Sequence, residues 1–305
     1  MASTIRIVFF GTGGSWPSPE RNVMSVGLQV DGEVLLFDCG EGTQRQIMRT
    51  NVSFMKISRI FITHFHGDHF LGLAGLVQTM VLNDRREKLE IYGPVGTVDI
   101  LTKFLSIGYY SPSFPIVLHD LEPGTRLDFG GYVVETIKTK HPVPSLAYSF
   151  KEKDIPRIDR TKADSLGLDS KTLEKIRNEG YVVHNGQEIT IDMVAGGIRK
   201  GRKIVYSGDT APFDEFVNFA QNADVLIHEA TADSSLEDKA NQYGHSSARQ
   251  AANIAKRAKV QNLILVHISP RYRDPQIIEK EAKSVFQNVR VANDFEEFLV
   301  RVRKD

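Results

Sequence analysis

Short apolar runs rich in Val, Ile and Phe recur along the chain, each bounded by Gly, Pro or polar clusters. They are IRIVFF (5–10), EVLLFD (33–38), RIFIT (59–63), KLEIYG (88–93), YVVETIK (132–138), KIVYSG (203–208), ADVLIHEA (223–230) and NLILVHIS (262–269). Their length and β-branched content predict strands. Longer segments with apolar residues at helical spacing alternate with them: GDHFLGLAGLVQTMVL from Gly67, VGTVDILTKFLSIG from Val95, and HSSARQAANIAKRAK from His245. The last reads as an amphipathic helix with a basic outer face. Interleaved strands and helices imply an α/β or α+β class with layered sheets. The N-terminal MASTIRIVFFGTGG lacks a basic n-region, a long apolar stretch and a cleavage site, and reads as a first strand rather than a signal peptide.

Residues 151–180, KEKDIPRIDRTKADSLGLDSKTLEKIRNEG, break this rhythm with dense charge and little apolar periodicity. Their second part predicts a short helix capped by Ser170 and ended by Gly180. The region, at about 151–185, reads as an insertion into a single domain spanning 1–305; a solvated loop is the plainer alternative. The ends of KIVYSGDT and EVLLFDCGEGT look alike, a weak sign of two similar halves.

Composition narrows the class. The chain has 305 residues, 41% hydrophobic and 25% charged, enough for a sizeable core. No apolar run approaches the roughly 18 residues of a membrane span. A single cysteine, Cys39, excludes an internal disulfide framework and a cysteine-rich zinc cage. A soluble, cytoplasmic protein is expected. Formal net charge is zero, so any polyanionic partner must be drawn by local patches or bound metal. IRKGRK (198–203) and PRYRD (270–274) are such patches, unless they are merely solvated faces.

The chemistry concentrates in THFHGDH (63–69), which holds three of the nine histidines. His64 and His66 are two apart in extended chain, so their rings project to one side. Asp68 and His69 lie in the turn into a helix and can diverge, with Gly67 allowing a sharp bend between the pairs. Imidazole and carboxylate without thiolate suit Zn²⁺, Mn²⁺ or Fe. His141, Asp209 and His267 each close a strand-like run and complete a plausible count for two ions. Three histidines could hold one metal, and Asp68, His69 and His267 the other, with Asp209 between. Two divalent ions less two carboxylates leave a positive centre suited to an anionic substrate such as a phosphodiester.

THFHGDH, His141, SGDT (207–210) and the HIS of 267–269 together resemble the metallo-β-lactamase superfamily. FFGTGGSWPSPERN, FDCGEGTQRQ, SGDT, HEAT (228–231) and HSS (245–247) are similar to its ribonuclease Z branch, the tRNA 3′-processing endonucleases. The resemblance runs from residue 7 to residue 270. It implies an αββα sandwich with an inserted tRNA-binding arm. It also implies an endoribonuclease that removes 3′ trailers from precursor tRNA, leaving a tRNA 3′-hydroxyl and a trailer 5′-phosphate. Two Zn²⁺ per subunit would be held by His64, His66 and His141, and by Asp68, His69 and His267, with Asp209 bridging. Asp68 would also act as general base, and His245, oriented by Glu229, would serve the leaving oxygen. The family's short form is a homodimer in which one subunit's arm holds RNA cut by the other.

Some positions carry less. Asp38 is expected to hydrogen-bond a ligand histidine, and His228 to support the fold or the ligands' surroundings. His119 and His184 are expected at the surface. GTGGSW reads as a tight turn near the site, with Arg21 and Asn22 as candidate RNA contacts. Three departures from the family pattern stand out: Pro19 where a loop linked to rejecting CCA ends has lysine, an arm without a Gly-Pro-rich tip, and HSS for His-Ser-Thr. The rival readings are a hydrolase of small phosphodiesters, thioesters or lactones on the same fold, and a non-catalytic metal- and RNA-binding protein.

Overall fold

The strand Ile5–Gly11 sends Ile5, Ile7 and Phe9 into one apolar cluster and Val8 and Phe10 into another. Alternate residues of a pleated strand face opposite sides, so an unbroken apolar run needs cover on both. The same division separates Leu35 and Phe37 from Val34 and Leu36, and Ile204 and Tyr206 from Val205. The computed structural model describes residues 4–109 and 112–302, in two units, one of residues 4–150 with 203–302 and one of residues 151–202. The start of the N-terminal segment, residues 1–3, lies outside the described residues; its strand begins at Ile5.

The larger unit contains two seven-stranded sheets. The first runs, in spatial order, Glu297–Val300, Ile5–Gly11, Ser25–Val30, Glu33–Phe37, Ile57–Phe61, Leu89–Pro94 and Ile116–Leu121. The second runs Val289–Val291, Asn262–Val266, Val225–Glu229, Lys203–Tyr206, Leu146–Glu152, Tyr132–Lys138 and Arg126–Asp128. Side chains of both sheets, among them Phe9, Phe37, Phe61, Tyr148, Tyr206 and Ile227, share one buried cluster. Each such large side chain contributes roughly 1.5–3 kcal/mol on burial. Helices Leu73–Leu82 and Thr97–Leu105 cover the first sheet; Asp214–Phe219, Ala248–Arg257 and Gln276–Lys283 cover the second. The layers are therefore helix, sheet, sheet, helix.

In both sheets the strands leading to the site are parallel: Glu33–Phe37 with Ile57–Phe61, and Lys203–Tyr206 with Val225–Glu229 and Asn262–Val266. Loops after the carboxyl ends of such strands are where α/β sheets build ligand sites. Asp38, His64, Asp209 and His267 all lie there.

The helix at Ala248–Arg257 is fixed by a capping box. Ser247 Oγ accepts from the Gln250 amide at 3.1 Å, and Gln250 Oε1 accepts from the Ser247 amide at 3.0 Å. That lock sits two residues after His245.

The smaller unit is folded rather than a solvated loop, and it ends at Arg202 instead of near 185. Strands Ile155–Ile158 and Ala195–Arg199 pair, Tyr181–His184 and Gln187–Thr190 form a hairpin, and Ala163, Leu168, Leu173, Ile176, Val182, Ile189 and Val194 make a core. Its helix Ser170–Glu179 is capped by Asp169, not Ser170. The Asp169 carboxylate reaches the Thr172 amide at 2.8 Å, and Gly180 ends the helix at φ 85°. The IRKGRK cluster is not a free basic face. Arg202 is buried and doubly bonded to Glu152 at 2.8 and 2.9 Å, Arg199 lies 3.5 Å from the same carboxylate, and Lys200 pairs with Asp154 at 2.7 Å. Lys203, in the larger unit, donates to the carbonyls of Phe219 and Gln221.

Candidate metal centre

The chain leaves its strand at Phe61, bends at Thr63, is extended at His66 (φ −75°, ψ 146°) and enters a short helix at Gly67. His64 and His66 thus precede the turn, and Asp68 and His69 lie within it. The bend between the two pairs is made at His66. Gly67 is not left-handed; its missing Cβ leaves room for the Leu71 side chain. The DCGEGT segment cradles this helix. The Cys39 amide donates to the His69 carbonyl at 2.7 Å, and the Gly72 amide to the Cys39 carbonyl at 2.9 Å. A Cβ on Gly72 would overlap the Gly40 carbonyl, so only glycine permits this approach.

His64 Nε2 and His66 Nδ1 are 3.0 Å apart, and His141 Nε2 is 3.2 Å from His66 Nδ1. Asp68 Oδ2 lies 3.6 Å from His69 Nε2 and 3.3 Å from His267 Nε2. Asp209 Oδ2 stands between the groups, 3.7 Å from His64 Nε2, 3.4 Å from His69 Nε2 and 3.3 Å from His267 Nε2. The seven side chains singled out as ligands in the sequence come together here.

The outer nitrogens fix which atom faces inward. His69 Nδ1 donates to Asp38 at 2.7 Å, and His141 Nδ1 to the Gly244 carbonyl at 3.0 Å. Thr63 Oγ1 spends its proton on Asp38 and so accepts from His64 Nδ1 at 3.0 Å. Thr231 Oγ1 likewise donates to Glu229 and accepts from His267 Nδ1 at 2.8 Å. In its neutral form each of these rings therefore presents a bare Nε2 lone pair to the centre. The 3.0 and 3.2 Å neighbour of two of these lone pairs is His66 Nδ1, which joins them as a third inward donor for a cation when its own proton sits on Nε2. Tetrahedral bonds of about 2.0–2.1 Å to Zn²⁺ would separate neighbouring nitrogens by about 3.3 Å. His69 Nε2 and Asp209 Oδ1 are buried and have no hydrogen-bond partner among the described residues. The donor set, the spacing and the orphaned atoms all fit metal ions.

Protonation follows the same logic. Burial holds His64, His66 and His141 below their ordinary value, in the neutral form a metal needs. Burial opposes charge on Asp209 and Asp68 too, but neighbouring His267 and His69 keep both below the usual carboxylate range. His69 is driven the other way: despite complete burial, Asp209 and Asp38 hold it well above its ordinary value.

Beside this centre, Glu229 Oε1 accepts from His245 Nδ1 at 3.0 Å and from the Thr210 amide at 2.8 Å. Burial works against a charged His245, yet Glu229 and then Asp209 raise it to about 9. His228, the first residue of HEAT, faces away. It is buried, donates to the Glu229 carbonyl and sets its ring edge-on to Phe216, so it supports the fold.

Asp38 accepts from Thr63, His69 and also Tyr206, whose hydroxyl reaches across from the second sheet at 2.7 Å. Tyr206, Thr63 and Thr231 were not singled out in the sequence, although all three stand inside quoted motifs. Arg21 and Asn22 are structural. Arg21 bonds Thr12, the Ala292 carbonyl and Asn293, and the Asn22 side chain bonds the Glu41 carbonyl. His119 is only partly exposed and stacks on Tyr92, with centroids 4.3 Å apart. His184 lies at the end of the hairpin strand in the smaller unit. Among the described residues, no helix is long and apolar enough to cross a membrane.

Residues 5–155 match the family model described as anti-Pycsar protein Apyc1, and residues 172–268 match the beta-lactamase superfamily domain. A protein of Thermoplasma acidophilum named Ribonuclease Z is 52% identical over 305 residues, covering 100% of this chain and 99% of its own. One of Methanothermobacter thermautotrophicus with the same name is 43% identical, covering 95% of each chain. The crystal structure of human tRNase Z, short form, aligns over 97% of this chain and 100% of its own with a TM-score of 0.73 and 31% identity. A metallo-β-lactamase fold protein of Bacillus subtilis shares the fold, with a TM-score of 0.72 at 21% identity over 98% of this chain and 100% of its own. The chain belongs to the ribonuclease Z family, endonucleases built on the metallo-β-lactamase fold.

Proposed function

We propose that this protein is a zinc-dependent endoribonuclease that removes 3′ trailers from precursor tRNA, leaving a 3′-hydroxyl on the tRNA and a 5′-phosphate on the trailer. The carrying observation is the convergence of two triads on one carboxylate: His64, His66 and His141 on one side, Asp68, His69 and His267 on the other, Asp209 between. Each triad would hold one Zn²⁺, with Asp209 shared. Bound there, zinc would supply Lewis acidity at the phosphorus and lower the pKa of water.

The protein's own groups do the rest. Asp68 is held ionised by His267 and His69, and its carboxylate orients the attacking water and takes its proton. The Ser15 amide donates to Asp68 Oδ2 at 2.7 Å and keeps that carboxylate from turning away. His245, charged beside Glu229, gives a proton to the departing 3′-oxygen. PRYRD begins three residues after His267, and its exposed Arg271 and Arg273 would meet phosphates of the RNA chain. The working form would be a cytoplasmic homodimer, with the unit 151–202 binding the body of the tRNA.

The test is cleavage of one precursor tRNA with its 3′ trailer, cut ends mapped and zinc measured on the same sample. Cleavage of a small chromogenic diester without any RNA cut at physiological salt would sink the reading. Asp68→Ala should abolish cleavage while RNA binding persists, and undiminished cleavage would overturn the role given to Asp68.

A further inference from the structure

The loop GTGGSW is fastened to the centre at several points. The Gly14 amide donates to the Ile268 carbonyl at 3.1 Å, and the Gly14 Cα faces the His267 ring so closely that a Cβ would lie 2.5 Å from it. The next residue, Ser15, is the one whose amide holds Asp68. Trp16 follows, tied back by its amide to the Gly14 carbonyl at 3.0 Å. Trp16 is 61% exposed, although the chain buries most of its large aromatics. A bulky apolar ring on a hydrogen-bonded loop, left largely in water close to Asp68, adds little to the packing of the free protein.

Trp16 lines a cleft whose other wall is Ser269, Pro270, Tyr272 and Arg273, in the segment that begins at His267. Both walls are thus anchored on ligand-bearing residues. Arg273 is exposed on this cleft, and Glu20 is an acidic group on it. An exposed indole and a guanidinium lining one cleft are the chemistry that takes an unpaired nucleotide, stacking on the base and contacting the phosphate. One residue separates Trp16 from the amide that holds Asp68, so the base it reaches is one that flanks the scissile phosphate.

We propose that Trp16 is a specificity and positioning residue: its indole stacks on an unpaired nucleobase next to the scissile phosphate and holds the RNA chain in line with Asp68. Stacking accepts any base face, so the subsite selects unpaired over paired RNA rather than a sequence. The inference rests on the reading of the substrate as RNA.

Trp16 is the sole tryptophan, so its fluorescence reports this contact alone. Two measurements separate the claims. Chelator-treated protein is titrated with a short single-stranded RNA, with the same RNA carrying one abasic position, and with a blunt duplex. Saturable quenching by the single strand, weakened by the abasic position and absent with the duplex, is expected. Precursor-tRNA cleavage is then compared for wild type, Trp16→Phe and Trp16→Ala. Trp16→Ala should raise KM about 5- to 150-fold with kcat little changed, the range that 1–3 kcal/mol of stacking gives, and Trp16→Phe should restore most of the loss. No quenching by single strands, or an unchanged KM in Trp16→Ala, overturns the role of Trp16. A wild type that is quenched by RNA but cuts no precursor tRNA instead overturns the proposed reaction and leaves the stacking subsite standing.

Discussion

Replacing Asp38 by asparagine should weaken zinc binding about 10- to 100-fold, or about 1.4–2.7 kcal/mol, without unfolding the protein. The carboxylate is fully buried. Its Oδ1 accepts from the Thr63 amide at 2.7 Å, and its Oδ2 accepts from His69 Nδ1 and the Tyr206 hydroxyl, both at 2.7 Å. An asparagine must put an NH₂ on one side. Facing Thr63 it would strand a backbone N–H, which cannot change its role, at a cost of about 1–3 kcal/mol. Facing His69 and Tyr206 it meets groups that can adapt. The hydroxyl rotates to accept, and the imidazole moves its proton from Nδ1 to Nε2. The second orientation therefore wins, and its consequence falls on the site: His69 Nε2, the atom aimed at Asp68 and Asp209, acquires a hydrogen and loses its lone pair. The assay is titration of metal-free protein with zinc against a chromophoric chelator, alongside thermal unfolding. Tyr206→Phe is the control, because it removes one donor to Asp38, about 1 kcal/mol of stability, and leaves His69 its acceptor. A folded Asp38→Asn protein with wild-type zinc affinity would refute the tautomer argument.

Two further outcomes follow from the same geometry. Gly14→Ala puts a methyl 2.5 Å from the His267 ring, so zinc affinity should fall; equal affinity in the chelator titration would contradict the packing. Glu229→Gln leaves burial unopposed by its nearest charge, so NMR titration of metal-free protein should show His245 falling from about 9 toward or below 6.5. Because the folded value is raised, the pair's contribution to stability is complete below pH 6.5 and is lost as pH rises through about 9, and the two proteins' urea midpoints should converge there.

Much of this was legible in the chain. The apolar runs from IRIVFF to NLILVHIS each became strands, because strands covered on both faces need nearly continuous apolar sequence, whether they pair in parallel or, like Ile5–Gly11, antiparallel. The strand Ser25–Val30 escaped notice since Gly27 interrupts its apolar run. That glycine is required by the Phe10 ring, which packs where a Cβ would be, and a contact of this kind exists only after folding. The small unit was read as charge without periodicity, since its core residues are scattered among short elements and their burial depends on a hairpin and a strand pairing distant in sequence.

The site divides along the same line. Ligand-type residues are chemically marked, and THFHGDH, SGDT and the histidine after NLILV announce themselves by type and by their place at strand ends. Sequence alone thus marked the candidate donors and the layered class of fold. It could not decide which nitrogen of each ring faces inward, since that depends on Thr63, Thr231, Asp38 and the Gly244 carbonyl, brought together from both sheets. Nor could it separate the charges left at the surface from those spent internally. Arg202 and Arg21 look no different from Arg273 in the sequence, and only the fold gives the first two buried or carbonyl partners and leaves the third facing a cleft beside Trp16. Local patterning is written in each segment; the partner of a polar group is a property of distant segments, and it appears only when tertiary structure closes the distance.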